Sequence, residues 1–277
     1  MTGQDAPPVT HIHSGSHAAS FTLDHVWQAR ELLYFLVWRD IKVRYKHTVL
    51  GIAWSILQPL LTMVVFTLFF GRLAKMPSDG VPYPLFSLAA LVPWTYFSTA
   101  VSNGSASLLG NQHLIAKVYF PRVLVPLAAI LMPSVDLMMS LSMLVLMMAF
   151  YQVAPTPMML LLPLYLIIAV LIAFAMALWT SALTIRYRDV RYVLPFAIQI
   201  WMFVTPVAYP ASLVPERWRL VYALNPMAVV VEGVRSALLG TVAPGVMIPV
   251  ALVVTVSALV AGGAYFRSVE SSIVDLA

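Results

Sequence analysis

The chain has 277 residues, of which 61% are hydrophobic and only 10% charged, with a formal net charge of +5. A water-soluble domain of this size needs charged residues over its surface, so the composition excludes one and demands a bilayer as solvent for much of the chain. The absence of cysteine removes disulfides, thiolate zinc sites and thiol catalysis, and because Lys and Arg flank apolar runs, the positive charge points to an anionic leaflet and not to nucleic acid.

Residues 1–23 are polar, rich in Pro, Gly and Ser, and lack both the basic start and the apolar run of a signal peptide. They read as a disordered tail. His11, His13 and His17 are spaced for a metal, yet no fold is expected to hold them together, and no metal site is assigned. From 24 to 48 the pattern turns helical. Asp24, Gln28, Glu31, Arg39, Lys42 and Lys46 recur along one stripe, Val26, Leu33, Val37 and Ile41 lie opposite, and Asp40 with Arg44 forms an i,i+4 pair in the favourable order. Such a segment is too charged to cross a bilayer and too apolar to float free, so an amphipathic helix in the headgroup plane is expected.

A bilayer core demands roughly 20 consecutive apolar residues. Thr48 to Gly71 contains no Asp, Glu, Lys or Arg, and windows of the same kind predict six spans, at about 50–71, 83–102, 124–150, 159–184, 193–209 and 246–266. Six crossings place both chain ends on one side. With that side cytoplasmic, the inner segments hold eleven Lys and Arg against five outside, which is the bias expected of cytoplasmic loops.

Two connections are long. Residues 103–122 contain Leu108, Leu109, Leu114, Ile115 and Val118, enough for a short helix with a greasy face that seeks a partner. Residues 210–244 predict one helix around 216–224 and a second that starts with Asn225 as N-cap and Pro226 at the first position and stops at Gly240. The second helix, about 14 residues or roughly 21 Å, is too short to cross and reads as re-entrant.

The chain lacks a GxxxxGK[ST] phosphate loop, and HExxH, CxxC and GxSxG are missing as well; if nucleotide energy is used, another chain binds the nucleotide. All six His precede residue 114, outside every predicted span. Asp136 is the one carboxylate inside a span; it fits a proton relay, or a hydrogen bond to Ser134, Ser140 or a neighbouring helix end. Trp54, Gln58 and Thr62 follow one another at i, i+4, i+8, and Trp201, Thr205 and Tyr209 do the same in the fifth predicted span. A polar and aromatic line suits a channel wall, where flat rings meet the C–H faces of sugars; the same residues also serve as interfacial belt or packing. Ala169, Ala173, Ala177 and Ser181 form a small-residue stripe for close helix contact, expected within one subunit, with a dimer seam as the alternative. Three Arg and one Asp in 185–193 read either as positive-inside punctuation or as a docking surface.

Four stretches, VWRDIKVRYKHTVLGIAWSILQPLL at 37–61, LIAKVYFPRVLVPL at 114–127, RYRDVRYVLPF at 186–196 and VPERWRLVYALNPMAVVVEGVRSALLG at 214–240, give the chain its resemblance to the ABC-2 export permeases. Those that move lipid-linked polysaccharides, such as O-antigen, capsule or teichoic acid precursors, are the most similar. The resemblance implies an all-α polytopic membrane protein: six transmembrane helices, an N-terminal amphipathic interface helix and short re-entrant helices between the fifth and sixth spans, with residues 49–270 as the transmembrane domain. It also implies a transporter subunit of the bacterial inner membrane, without enzymatic activity of its own, that pairs with a second copy of itself and with two ABC ATPase chains.

ATP and Mg would bind on the ATPase, with no cofactor in this chain. Glu31, Arg39 and Lys42 on the interface helix, His113 and Lys117 on a coupling helix within 103–122, and Arg186, Arg188, Asp189 and Arg191 in the second cytoplasmic contact would couple the two proteins. The channel would run between two permeases, past Trp54, Gln58, Thr62, Trp201, Thr205 and Tyr209, beneath outer gate helices carrying Trp218, Tyr222, Asn225, Pro226, Glu232 and Arg235. Three rivals remain: an ABC-2 exporter of a drug or simple lipid, a proton-coupled secondary transporter using Asp136, and a membrane glycosyl- or acyltransferase. The second should show an internal repeat and the third a cluster of His, Asp or Glu at one membrane face, and neither pattern is evident.

Overall fold

The computed structural model describes residues 28–46, 49–118 and 120–275, and every regular element among them is helical. The tail expected at 1–23 and the first residues of the interface segment lie outside the described residues. Helix α1 (Arg30–Tyr45) is followed by α2 (Val49–Phe66), which passes into a π-helical turn (Thr67–Leu73), then α3 (Tyr83–Gly110) and the short α4 (Gln112–Lys117). Next come α5 (Leu124–Leu131), α6 (Ser134–Phe150), α7 (Leu162–Arg186, preceded by a 3-10 turn) and α8 (Val190–Val204). The chain ends with α9 (Arg219–Tyr222), α10 (Pro226–Leu239) and α11 (Met247–Asp275).

Among the described residues, five helices are long and apolar enough to cross a membrane: Ala53–Leu73, Tyr83–Gly110, Leu124–Phe150, Pro157–Arg186 and Met247–Glu270. The expected fifth span is instead the 15-residue α8, which at 1.5 Å per residue reaches roughly 22 Å, less than a hydrocarbon core of about 30 Å. Its early stop has a local cause. Pro206 pushes the preceding residue out of the helical region, and Thr205 sits at φ −88°, ψ 142°.

The second predicted span and the loop after it are one structure. α3 runs 28 residues without interruption, and Gly104, which falls in the expected connection at 103–122, is needed for packing: a Cβ there would lie 2.4 Å from the Ala177 Cβ. The stripe Ala169, Ala173, Ala177 and Ser181 is buried on α7, and its contact with Gly104 places it against α3 inside the subunit. α3 thereby forms the central pillar, in contact with α2, α5, α6, α7, α8 and α10. Near the start of α7, Gly233 of α10 lets the helix approach Tyr165, whose Cδ1 would stand 2.2 Å from an added Cβ.

The bundle has two chemically different ends. At one, Leu36 of α1 shares a cluster with Leu108 near the end of α3, Leu124 at the start of α5, Leu178 and Ala182 late in α7, and Phe266 late in α11. At the other, the Tyr83 hydroxyl donates to the Ala208 carbonyl at 2.7 Å, and Thr156 Oγ1 donates to the Ala237 carbonyl at 3.0 Å. Three residues separate α7 from α8, which leads to the loop at Val207 and Ala208, so α8 runs from the first end to the second.

Candidate functional site

α1 is apolar on more than one side. Leu36 is buried and Leu32, Leu33 and Val37 pack beside it, whereas Tyr34, Phe35 and Trp38 remain exposed, with the Tyr34 and Trp38 rings stacked. Lys42 Nζ sits 5.2 Å from the Trp38 ring centre. The sequence pairs Asp40 with Arg44, but the structure does not. Arg39, its side chain 44% exposed, turns to the adjacent Asp40 at 2.8 Å and donates to Asn111 Oδ1 at 2.8 Å, which ties α1 to the corner between α3 and α4. Arg44 reaches instead to Asp136 on α6, at 2.7 Å.

The residues expected to couple the chain to an ATPase are Glu31, Arg39, Lys42, His113, Lys117, Arg186, Arg188, Asp189 and Arg191, and all of them are exposed. Leu32, Leu33, Leu114, Ile115 and Ile185 pack into the same apolar cluster, so α1, α4 and the end of α7 present their charges around one shared base.

Asp136 occupies the first turn of α6, where Met132 and Pro133 interrupt the helix and a carboxylate complements the positive end of the next one. Its side chain is 15% exposed and holds three donors: Arg44, the Tyr45 hydroxyl, and Ser55 Oγ at 2.5 Å. Burial, followed by the bond to Asp136, pushes the Tyr45 phenol up to about 12, so it remains a donor at neutral pH. The cluster forms one wall of a cleft that Trp54, Gln58, Thr95 and Thr99 complete. Trp54 is 53% exposed, Gln58 is exposed, and Thr62 is half-buried with its hydroxyl donating to the Gln58 carbonyl at 2.9 Å.

At the opposite end, the predicted line of Trp201, Thr205 and Tyr209 does not form, because α8 stops at Val204. Trp201 meets the Phe97 ring edge-on, and its Nε1 donates to Asn225 Oδ1 at 2.9 Å. The Asn225 amide nitrogen donates to Thr205 Oγ1 at 2.9 Å, while its oxygen also accepts from the Met227 backbone N–H at 3.2 Å and caps α10. Thr205 is buried. The Tyr209 and Tyr222 hydroxyls lie 3.0 Å apart, and Trp218 is exposed on the preceding turn.

α10 is buried along its whole length, from Pro226 to the left-handed Gly240. Arg235 is completely enclosed. Its guanidinium donates to the carbonyls of Phe86 (3.1 Å), Pro206 (2.6 Å) and Val207 (2.8 Å), pairs with Glu232 at 3.0 Å, and lies 3.5 Å from the Phe86 ring centre. Glu232 also accepts from the Ala211 backbone N–H at 3.2 Å. These two charges fasten the loop after α8 to α3 and α10; in this state they face no opening.

Sequence reasoning missed the join between Arg44, Tyr45, Ser55 and Asp136. The signal for it was a carboxylate in a span together with an arginine whose local partner had a nearer cation. Among the described residues, no group of His, Asp and Glu is placed to hold a metal.

Five long apolar helices with weakly covered faces, among the described residues, and an exposed charged end define a polytopic helical membrane protein. The family follows from comparison: residues 31–239 match the model of the ABC-2 type transporter, and the chain belongs to that family. It is 34% identical over 206 residues to the O-antigen export system permease protein RfbA of Myxococcus xanthus, covering 73% of this chain and 78% of the relative. A Klebsiella pneumoniae protein of the same name is 28% identical over 199 residues, covering 72% and 76%. The polysialic acid transport protein KpsM of Escherichia coli is 23% identical over 238 residues, covering 84% and 92%.

Proposed function

We propose that the chain is the permease subunit of an ATP-driven exporter of a lipid-linked polysaccharide across a bacterial inner membrane. The observation that carries this reading is the charged end: three segments far apart in sequence bring exposed Glu31, Lys42, Lys117, Arg188 and Asp189 around one apolar base. A surface built that way suits a cytoplasmic protein partner, and a chain without a phosphate loop requires one to supply ATP and Mg. The relatives named for O-antigen and polysialic acid export give the cargo class.

Six crossings with both termini cytoplasmic follow if α8 counts as the fifth, since it connects opposite ends of the bundle. Eleven of the sixteen Lys and Arg then fall on the cytoplasmic side. Among the apolar spans, α2 and α8 have the least cover, and Leu57, Leu61, Val64, Phe196, Ile200 and Phe203 are exposed on them. Two copies facing each other across these helices would line a path that begins at Trp54 and Gln58 and ends beneath the helices at 211–240. Trp201, Thr205, Tyr209, Tyr222 and Asn225 act there as the latch of the outer end, with Trp218 at its surface, and Arg235 with Glu232 as its fixed anchor. ATP binds the closed ATPase pair more tightly than the open one, and that differential affinity moves α1 and α4 and, through them, the spans. Asp136 is engaged by a guanidinium and two hydroxyls, which disfavours a proton-relay role.

The test is hydrolysis by the purified complex of permease and ATPase. A lipid-linked polysaccharide stimulates it, and a simple phospholipid or a hydrophobic drug does not. Stimulation by the drug alone would replace this reading with export of another cargo.

A further inference from the structure

The charge cluster at Asp136 joins two consecutive helices to a third that comes much later in the chain. Arg44 and Tyr45 form the last turn of α1, Ser55 stands near the start of α2, and Asp136 opens α6. Ser140, one turn further along α6, donates to the Ser55 carbonyl at 3.4 Å, and a second nitrogen of Arg44 approaches the Met132 sulfur at 3.6 Å. α1 and α2 are consecutive in the chain, whereas α6 begins far later. The carboxylate binds both the end of α1 and Ser55 of α2 from α6, so one side chain holds all three helices in register.

We propose that Asp136 is the positioning residue that converts movement of α1 into movement of the membrane helices. It rests on the ATP-driven reading above. A push on α1 then reaches α2 through the chain and Ser55, and α6 through Arg44 and Tyr45. Without the carboxylate, α1 would keep its apolar seat and its bond to Asn111 but lose its direct bonds to α6, and less of the push would reach that helix. The pair suits the task because it is partly shielded: the two side chains are 34% and 15% exposed, so it is screened less than a surface pair. A hydrophobic contact could hold α1 in place, but it would slide. The bonds to Asp136 fix both position and direction.

The experiment compares wild type, Asp136→Asn, Arg44→Gln and the exchanged pair Arg44→Asp/Asp136→Arg, each in the full complex with its ATPase. The readouts are the amount of assembled complex, the rate of ATP hydrolysis, and polysaccharide exported per ATP. Coupling between linked sites commonly amounts to roughly 5–150-fold, so the single variants should assemble and hydrolyse ATP while export per ATP falls about tenfold, and the exchange should recover part of it.

The chain has no native cysteine, so a second variant, Arg44→Cys/Asp136→Cys, can be bridged with a short thiol cross-linker. Bridging should restore export per ATP relative to the unbridged form. Unchanged export per ATP in Asp136→Asn overturns the proposal. So does a loss of export that only tracks the amount of complex, or a bridged form no better coupled than the unbridged one. A wild-type complex that hydrolyses ATP without moving polysaccharide would instead refute the functional reading.

Discussion

Replacing Arg235 with alanine tests how the outer end is built. The guanidinium is buried with none of its side chain exposed, and Glu232 beside it is 7% exposed. Truncation leaves that carboxylate without its cation and deprives the Pro206 and Val207 carbonyls of the guanidinium. Breaking a buried pair by removing one partner costs about 3–5 kcal/mol. At roughly 2–4 °C per kcal/mol for a chain of this size, the melting point should fall by roughly 6–20 °C. Heat denaturation of the detergent-purified permease, followed by near-UV circular dichroism, measures it. The double variant Glu232→Gln/Arg235→Met removes both charges and should recover much of the loss, because burying an ion pair is itself costly. An Arg235→Ala protein that melts with the wild type would refute the anchoring role.

Three further outcomes are expected. Gly233→Ala forces a methyl against the buried Tyr165 ring and should cost about 1–3 kcal/mol in the same assay, with Tyr165→Ala in the same chain losing less than the two changes summed. Glu31→Arg combined with Asp189→Arg should reduce co-purification of the ATPase without shifting the melting point, since both side chains are exposed; undiminished co-purification would remove them from the docking surface. Single cysteines at Lys117 and Arg188 should react with an impermeant thiol reagent only from the cytoplasmic side, and cysteines at Ser212 and Arg217 only from the outside. The reverse pattern would invert the topology.

What the sequence reveals is what local chemistry decides. The start of α10 is readable because an Asn cap, a proline at the first position and a terminating glycine act within a few residues of one another, and Asn225, Pro226 and Gly240 are placed accordingly. The end of α8 is not, because Trp201, Thr205 and Tyr209 continue a helical spacing that Pro206 breaks. α3 was cut short for a related reason: Asn103, Gly104 and Ser105 resemble a loop until Ala177 is seen against Gly104 and Thr184 within 2.8 Å of Ser105. Of the candidate site, the exposed charges on α1, α4 and the 186–191 loop were legible from polarity. The partner of Arg44 was not, since nothing local distinguishes Asp40 from a carboxylate brought in by folding. Arg235 likewise looks like a surface arginine until the loop carbonyls converge on it.

The central claim is that this chain moves its cargo only on power delivered through its charged end. The direct measurement is uptake of a lipid-linked polysaccharide into the lumen of proteoliposomes, with the permease oriented so that this end faces out. Permease with ATPase and Mg-ATP should accumulate the polymer, whereas permease alone, with ATP or with an imposed proton gradient, should move none. Uphill accumulation by the permease alone would contradict the claim.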